Sequence, residues 1–352
     1  MVVYGNAEIP KLVAQMASGT MAEKEKASGY LNRILQAHPD QRAKNADAMI
    51  KEGVIAPALA LLKEGNAPGQ TAASGIIYCI AEGNREIQVQ VVQANCIEPL
   101  VSILKSGSPG AQEHAAGAVA SISEDLSTQR PLMKAGAILP LVQLLRFGSA
   151  SAQVHASNAV AHLSAGNLQG QNQIAAAGAI PLLLKLLESG KAQMAAAFAI
   201  GRLAEGHTLN QLAIAEAGGV APLLSLLNVT SVETNVEAAN ALLELARDNQ
   251  LTQTAIAKAG GIGPLLAMLP GRSAQAQSRA AGALAQLARF NRENQDSTTR
   301  QGGMPLLVGL LPGTSGAEVQ VSSAANGLLV PGRLRLIEAD CMTSVVQAIA
   351  TD

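Results

Sequence analysis

Seven prolines stand one repeat apart, at Pro57, Pro99, Pro140, Pro181, Pro222, Pro264 and Pro305, with successive differences of 42, 41, 41, 41, 42 and 41 residues. An ordinary globular core imposes no such spacing. Stacked equivalent units do, because each unit must offer the same face to the next. The prolines sit inside a recurring phrase, clearest at residues 135–166, AGAILPLVQLLRFGSASAQVHASNAVAHLSAG. It reads as a short apolar helix opening around Gly136 and Pro140, a break over Gly148 to Ser151, and an alanine-rich helix ending near Gly166. At this period 352 residues give room for about eight units, so residues 1–352 read as one all-α solenoid.

Breakers divide each unit into three helices. The first, such as QNQIAAAG at 171–178, stops at a glycine suited to a left-handed cap. A second, such as IPLLLKLLES at 180–189, carries proline in its first turn, where the missing amide donor costs little. The third, such as AQMAAAFAIGRLAEG at 192–206, is alanine-rich, and Ala196, Ala199, Ile200, Leu203 and Ala204 share one face that should be buried. Capping boxes are expected at Thr20 with Glu23, Thr230 with Glu233 and Ser315 with Glu318.

The ends are less regular. Residues 1–52 form an atypical first repeat: AEIPKLVAQM at 7–16 matches later second helices, but Pro10 to Pro57 is 47 residues, with part of the excess around His38 to Arg42. Residues 53–330 hold the regular repeats. Pro331 cuts in after Val330, and residues 331–352 read as a truncated repeat or cap with Thr343 where proline should stand, or as the point where a longer array is interrupted.

Composition narrows the chemistry. Hydrophobic residues make up 48% but aromatics only 2%, with no Trp, so the core is built from Ala, Leu, Ile and Val. A net charge of -1 gives no global field for nucleic acid or an anionic membrane. Cys79, Cys96 and Cys341 lack metal-type spacing and read as reduced thiols, which places the protein in the cytoplasm, or alternatively the nucleus. The start MVVYGN shows neither a signal peptide nor a myristoylation glycine, and no apolar run reaches the roughly 18 residues of a spanning helix. There is no His-Glu-x-x-His, GxxxxGK or Gly-x-Ser-x-Gly motif. GNAPGQT at 65–71 and the sequon at Asn228 to Thr230 both fall at turns between helices. The expectation is a non-enzyme without cofactor or metal.

The three-helix unit, with the phrases AGAILPLVQLL and AAGALAQLA (280–288), resembles the armadillo repeat over nearly the whole chain. The recurring glycine-bounded first helix favours it over the two-helix HEAT unit. What the resemblance implies is a right-handed superhelix of about eight repeats, whose third helices line a concave groove for extended peptides or partner proteins, with no catalytic activity. Well-known armadillo receptors place Asn at the seventh position of the third-helix phrase. Here that position holds Arg33, Cys79, Ser121, His162, Arg202, Glu244, Gln286 and Val330. Importin-α proteins carry Trp four residues earlier, where this chain has Gly29, Gly75, Gly117, Asn158, Phe198, Asn240, Gly282 and Asn326. The chain departs from both patterns, which argues against reception of classical nuclear signals, and is similar to more generic armadillo adaptors of the vacuolar or U-box-ligase kinds.

Counting outward by three and four residues from those positions gives a candidate solvent stripe for each third helix. It comprises His114, Gly117, Ser121 and Glu124; His155, Asn158 and His162; Phe198, Arg202 and Glu205; Glu237, Asn240, Glu244 and Arg247; and Arg279, Gln286 and Arg289. Its late position changes from acidic, at Glu82, Glu124 and Glu205, to basic, at Arg247 and Arg289. This predicts a ligand segment whose two ends differ in charge, with Phe198 as an apolar contact. His155 and His162 lie about 10 Å apart along a helix, and neighbouring helices about 8–10 Å apart, which is too far for one zinc with bonds of about 2 Å. A proton-sensitive contact fits His114, His155 and His162 better than a metal, and plain polar groove residues that touch nothing in the free protein fit better still. The partner class is protein or extended peptide, at moderate affinity or over a large area given so few aromatic anchors. The alternatives are a structural subunit of a multiprotein assembly, or the recognition region of a larger enzyme such as a ubiquitin ligase.

Overall fold

The structure is a computed structural model and describes residues 8–37, 39–188, 190–271, 273–308 and 310. The expectations for His38, Ser315 with Glu318, Asn326, Val330, Pro331, Cys341, Thr343 and the terminal cap lie outside the described residues. Within them the chain forms 22 α-helices and no strand. It divides into two compact units, Met1–Leu182 and Leu183–Asp352.

The first unit opens with α1 (Ile9–Ser18) and α2 (Met21–Ala37), a second and a third helix. Three-helix repeats follow: α3 (Arg42–Lys51), α4 (Ile55–Glu64) and α5 (Ala67–Ala81); α6 (Arg85–Gln93), α7 (Ile97–Ser106) and α8 (Pro109–Ile122); α9 (Leu126–Lys134), α10 (Ile138–Phe147) and α11 (Ala150–Ser164). Then comes α12 (Leu168–Ala176), and the division between the units falls inside α13 (Ala179–Leu186). The second unit continues with α14 (Gln193–Ala204); α15 (Thr208–Glu216), α16 (Val220–Leu226) and α17 (Val232–Ala246); α18 (Gln250–Lys258), α19 (Ile262–Met268) and α20 (Ala274–Ala288); α21 (Arg292–Arg300) and α22 (Gly303–Val308). Third helices form the spine of each unit, α2 on α5 on α8 on α11 in the first and α14 on α17 on α20 in the second. The excess length of the first repeat is taken up by the long α2 and a 3-10 turn at Pro39–Gln41.

Local chemistry sets the boundaries. Each proline of the series is the third residue of its second helix, inside the first turn where amide donors have no partner in the helix. Gly178 ends its first helix at φ +81, and Asn95 takes the same left-handed role at φ +61. The Thr20–Glu23 box is formed, with the Thr20 amide donating to Glu23 Oε2 at 2.8 Å and the Glu23 amide to Thr20 Oγ1 at 3.4 Å. At α17 the cap is Ser231 rather than the expected Thr230: its Oγ accepts from the Thr234 amide at 3.2 Å and donates to Glu233 Oε2 at 3.0 Å. Ser and Thr can both cap, Ser somewhat better, so the capping-box spacing with adjacent hydroxyls leaves a one-residue ambiguity.

Small side chains bring the spine helices close. The expected face of α14, Ala196, Ala199, Ile200, Leu203 and Ala204, is fully buried, and so are Ala197 and Gly201 beyond it. A helix packed on more than one side is apolar around most of its circumference. A second device runs through the first helices. Gln88, Gln129, Gln171, Gln211, Gln253 and Gln295 recur at steps of 41, 42, 40, 42 and 42 residues, and all six are buried. Their amides donate to carbonyls in the last turns of third helices, each of which also accepts a backbone amide from the turn that follows. Gln88 donates to Ala81 O at 3.0 Å, Gln253 to Ala246 O at 3.1 Å and Gln295 to Ala288 O at 2.8 Å. Those three carbonyls belong to the preceding repeat, while other glutamines reach the third helix of their own repeat: Gln129 donates to His162 O at 2.7 Å and Gln211 to Glu244 O at 2.8 Å.

Candidate functional site

On the third-helix face of the first unit, Tyr78 of α5 lies across Gly117 of α8. A Cβ at Gly117 would come within 3.1 Å of the Tyr78 ring, so the glycine is the floor for that ring. The ring reaches α11 and meets His155 edge-on, with centroids 4.9 Å apart. His114 is half-buried one turn before Gly117, and its Nδ1 is buried with no hydrogen-bond partner among the described residues. Burial holds both His114 and His155 below the usual imidazole range, while Glu113 pulls each upward. Two carboxylates flank the rings. Glu82 accepts from the Tyr78 hydroxyl at 3.4 Å and pairs with Arg42 at 2.6 Å, and Glu113 accepts from Ser149 Oγ at 2.6 Å. Burial pushes the Tyr78 phenol up to about 12. Tyr78 is one position off the stripe counted from the sequence, and only the approach of its ring to the next two third helices reveals it.

The second unit presents a tighter charge lattice. The Arg202 guanidinium sits 5.3 Å from the Phe198 ring centroid, and Arg202 pairs with Glu205 at 3.0 Å. Arg247 clamps Glu244 through two contacts of 2.8 Å, and Arg289 pairs with Asp248 at 2.6 Å. Burial raises the Glu237 carboxyl, opposed by Arg279 and then Arg202.

Three stripe residues are not on an open surface. Ser121 is 3% exposed, Asn240 9% and Glu244 7%, because helices packed on either side close over these positions. Gly117 is buried as well, under Tyr78. His114, His155, Asn158, His162, Phe198, Arg202, Glu205, Arg247 and Gln286 are half-buried, and Glu124 and Arg289 are exposed. Since Arg202, Arg247 and Arg289 are each tied to a carboxylate, the expected basic stretch is largely neutralised in place. At the seventh position of the third-helix phrase in α5, Cys79 is a buried thiol pushed up to about 11, and Cys96 is pushed up to about 12, both by burial. Among the described residues no group of three His, Cys, Asp or Glu is placed to hold a metal ion, and no single helix is long and apolar enough to cross a membrane.

Sequence reasoning also missed a row of exposed apolar residues at the starts of first helices. In the first unit these are Leu126 and Leu168, and in the second Leu209 and Leu251, all 61% or more exposed. Phe290, at the corner before α21, is 79% exposed. The equivalent positions of α6 and α21 carry Arg85, Glu86, Arg292 and Glu293 instead.

These observations define a class: an all-α helical-repeat solenoid of the protein-binding kind. The family model for the armadillo/beta-catenin-like repeat matches residues 84–124 and 207–247. Among solved structures, the chain is similar to an engineered protein at 29% identity and a TM-score of 0.81, covering 98% of this chain and 82% of that one. A second engineered protein is 32% identical at a TM-score of 0.63, covering 66% of this chain and 96% of that one. A designed armadillo repeat protein in complex with the peptide (KR)4 is 27% identical at a TM-score of 0.60, covering 66% of this chain and 99% of that one. No curated protein matches the chain. The chain belongs to the armadillo-repeat family.

Proposed function

We propose that this chain is a non-enzymatic scaffold that holds an extended segment of a partner protein along its third-helix faces, in the cytoplasm or nucleus. The observation that carries the reading is the third-helix face itself. In the first unit it presents half-buried Tyr78, His114 and His155, and in the second half-buried Phe198, Glu237 and Arg279, each set on a backing of buried alanines. Support comes from the designed armadillo protein solved with a bound (KR)4 peptide. Preorganised polar groups on rigid helices favour ordering of a flexible ligand, because little further entropy is lost on the receptor side.

A second reading, a structural subunit of a larger assembly, is favoured by the exposed leucines at the first-helix starts. Exposed apolar side chains that run together into a patch mark contact surfaces. Affinity purification from the native source with mass spectrometry separates the two. Reversal of Arg279 and Arg289 to Glu should release a groove partner, whereas Leu209→Glu with Leu251→Glu should release neighbours held by the edge. Arg247 is unsuited to this test, since Arg247→Glu sets a second carboxylate beside the buried Glu244 and would unfold the site rather than probe it. Retention of every partner by the Arg279 and Arg289 variant, with loss on the leucine variant, would overturn the scaffold reading in favour of the subunit. The further expectation of a recognition region within a ubiquitin ligase is tested by assaying the full-length protein for ubiquitin transfer.

A further inference from the structure

Three successive third helices each bring a ring to the neighbourhood of Gly117, and the Tyr78 ring lies over it. Tyr78 of α5 crosses Gly117 of α8 to contact His155 of α11 at 4.9 Å, and His114 stands one turn before that glycine. The charged groups that act on His155 are Glu113, His114 and Glu82, and on His114 the one that acts is Glu113. On α3, Arg42 is a nearby cation, committed to Glu82 at 2.6 Å.

Building on the third-helix reading, we propose that this patch seats one lysine or arginine side chain of the bound segment, and that the two imidazoles make the seat proton-competitive. Ligand charge and imidazolium charge exclude each other there.

Each part of the patch favours a cation. An aromatic ring attracts positive charge through its quadrupole, and Glu113 adds carboxylate charge on α8, while Glu82 is already paired with Arg42. A carboxylate ligand would instead face Glu82, Glu113 and Glu124 on the same unit. Protonation of His114 or His155 places like charge beside the ligand. Burial keeps both rings neutral near pH 7, so the competition sets in only as pH falls below the ordinary imidazole value of 6.5.

The test is calorimetric titration of the full chain with the (KR)4 peptide at pH 7.5 and 5.0, with the charge-reversed peptide (DE)4 alongside. (KR)4 should bind about tenfold more weakly at pH 5.0, and the ratio between the two pH values should fall toward one in the His114→Gln, His155→Gln double variant. Tyr78→Leu should weaken binding at pH 7.5 about tenfold. Should that variant melt early, Glu113→Gln, a surface change, should still weaken binding several-fold. Equal affinity at both pH values, preference for (DE)4, or full affinity in both the Tyr78→Leu and Glu113→Gln variants overturns the seat. Binding of (KR)4 that persists under those outcomes leaves the third-helix reading standing. Failure of (KR)4 to bind overturns the seat alone, because the partner purification decides the broader reading independently.

Discussion

Phe290 keeps a backbone conformation that suits glycine. Its φ is +55, close to the values of Gly83, Gly166 and Gly206 at the equivalent corners, +65, +59 and +62. A left-handed residue with a Cβ costs about 1–2 kcal/mol. The exposed ring recovers only the stacking of Arg289, 5.4 Å from its centroid and about 0.5–1 kcal/mol at a solvated site. Phe290→Gly should therefore raise the unfolding free energy in urea by up to about 1 kcal/mol. A loss of stability would show that the ring is packed in the native state. The histidines give the second residue-level expectation. Burial sets the folded pKa values of His114 and His155 below the ordinary 6.5, so the unfolded chain takes up protons first. Their contribution to stability is complete above pH 6.5 and falls as pH drops through the window between the unfolded and folded values. The melting temperature of the wild type should decline more steeply between pH 7.5 and 5.5 than that of the His114→Gln, His155→Gln variant, and parallel curves would contradict the burial argument.

At the scale of elements, first helices tie the repeats together. Gln129 donates to Ser123 O of its neighbour α8 at 3.4 Å and to His162 O of α11 at 2.7 Å, and accepts from Asn167 Nδ2 at 3.3 Å. Gln129→Ala removes all three of these contacts from a buried position and should cost about 1–3 kcal/mol in thermal or urea unfolding, whereas an exposed glutamine would cost almost nothing. The same glutamines explain a limit of sequence reading. Their period stands in the sequence beside that of the prolines, but a glutamine in a short polar helix gives no sign of being buried. Only the packing of first helices against the last turns of third helices shows that it is. Proline and glycine act locally, so the helix breaks were legible. The Ser231 cap was displaced by one residue because Thr230 offers the same hydroxyl chemistry.

For the whole molecule, periodicity carried the fold, since seven prolines at one spacing admit few architectures besides a repeat array. Periodicity said less about the face that binds. Counting by three and four residues placed Ser121, Asn240 and Glu244 in solvent, whereas the adjoining helices bury them, and it skipped Tyr78, whose ring crosses to neighbouring repeats. Side-chain reach between repeats is not encoded in the spacing within one. The central claim is that the third-helix faces hold the partner. It is tested most directly by site-directed photo-crosslinking of the purified partner complex, with a benzophenone on cysteines introduced at Val154, Met194 or Ser278 of third helices, and at Glu98 or Ser225 of second helices for contrast. Crosslinks to one short partner segment from the third-helix sites, with none from the second-helix sites, are the predicted result. Crosslinks from Glu98 and Ser225 with silent third-helix sites would contradict it.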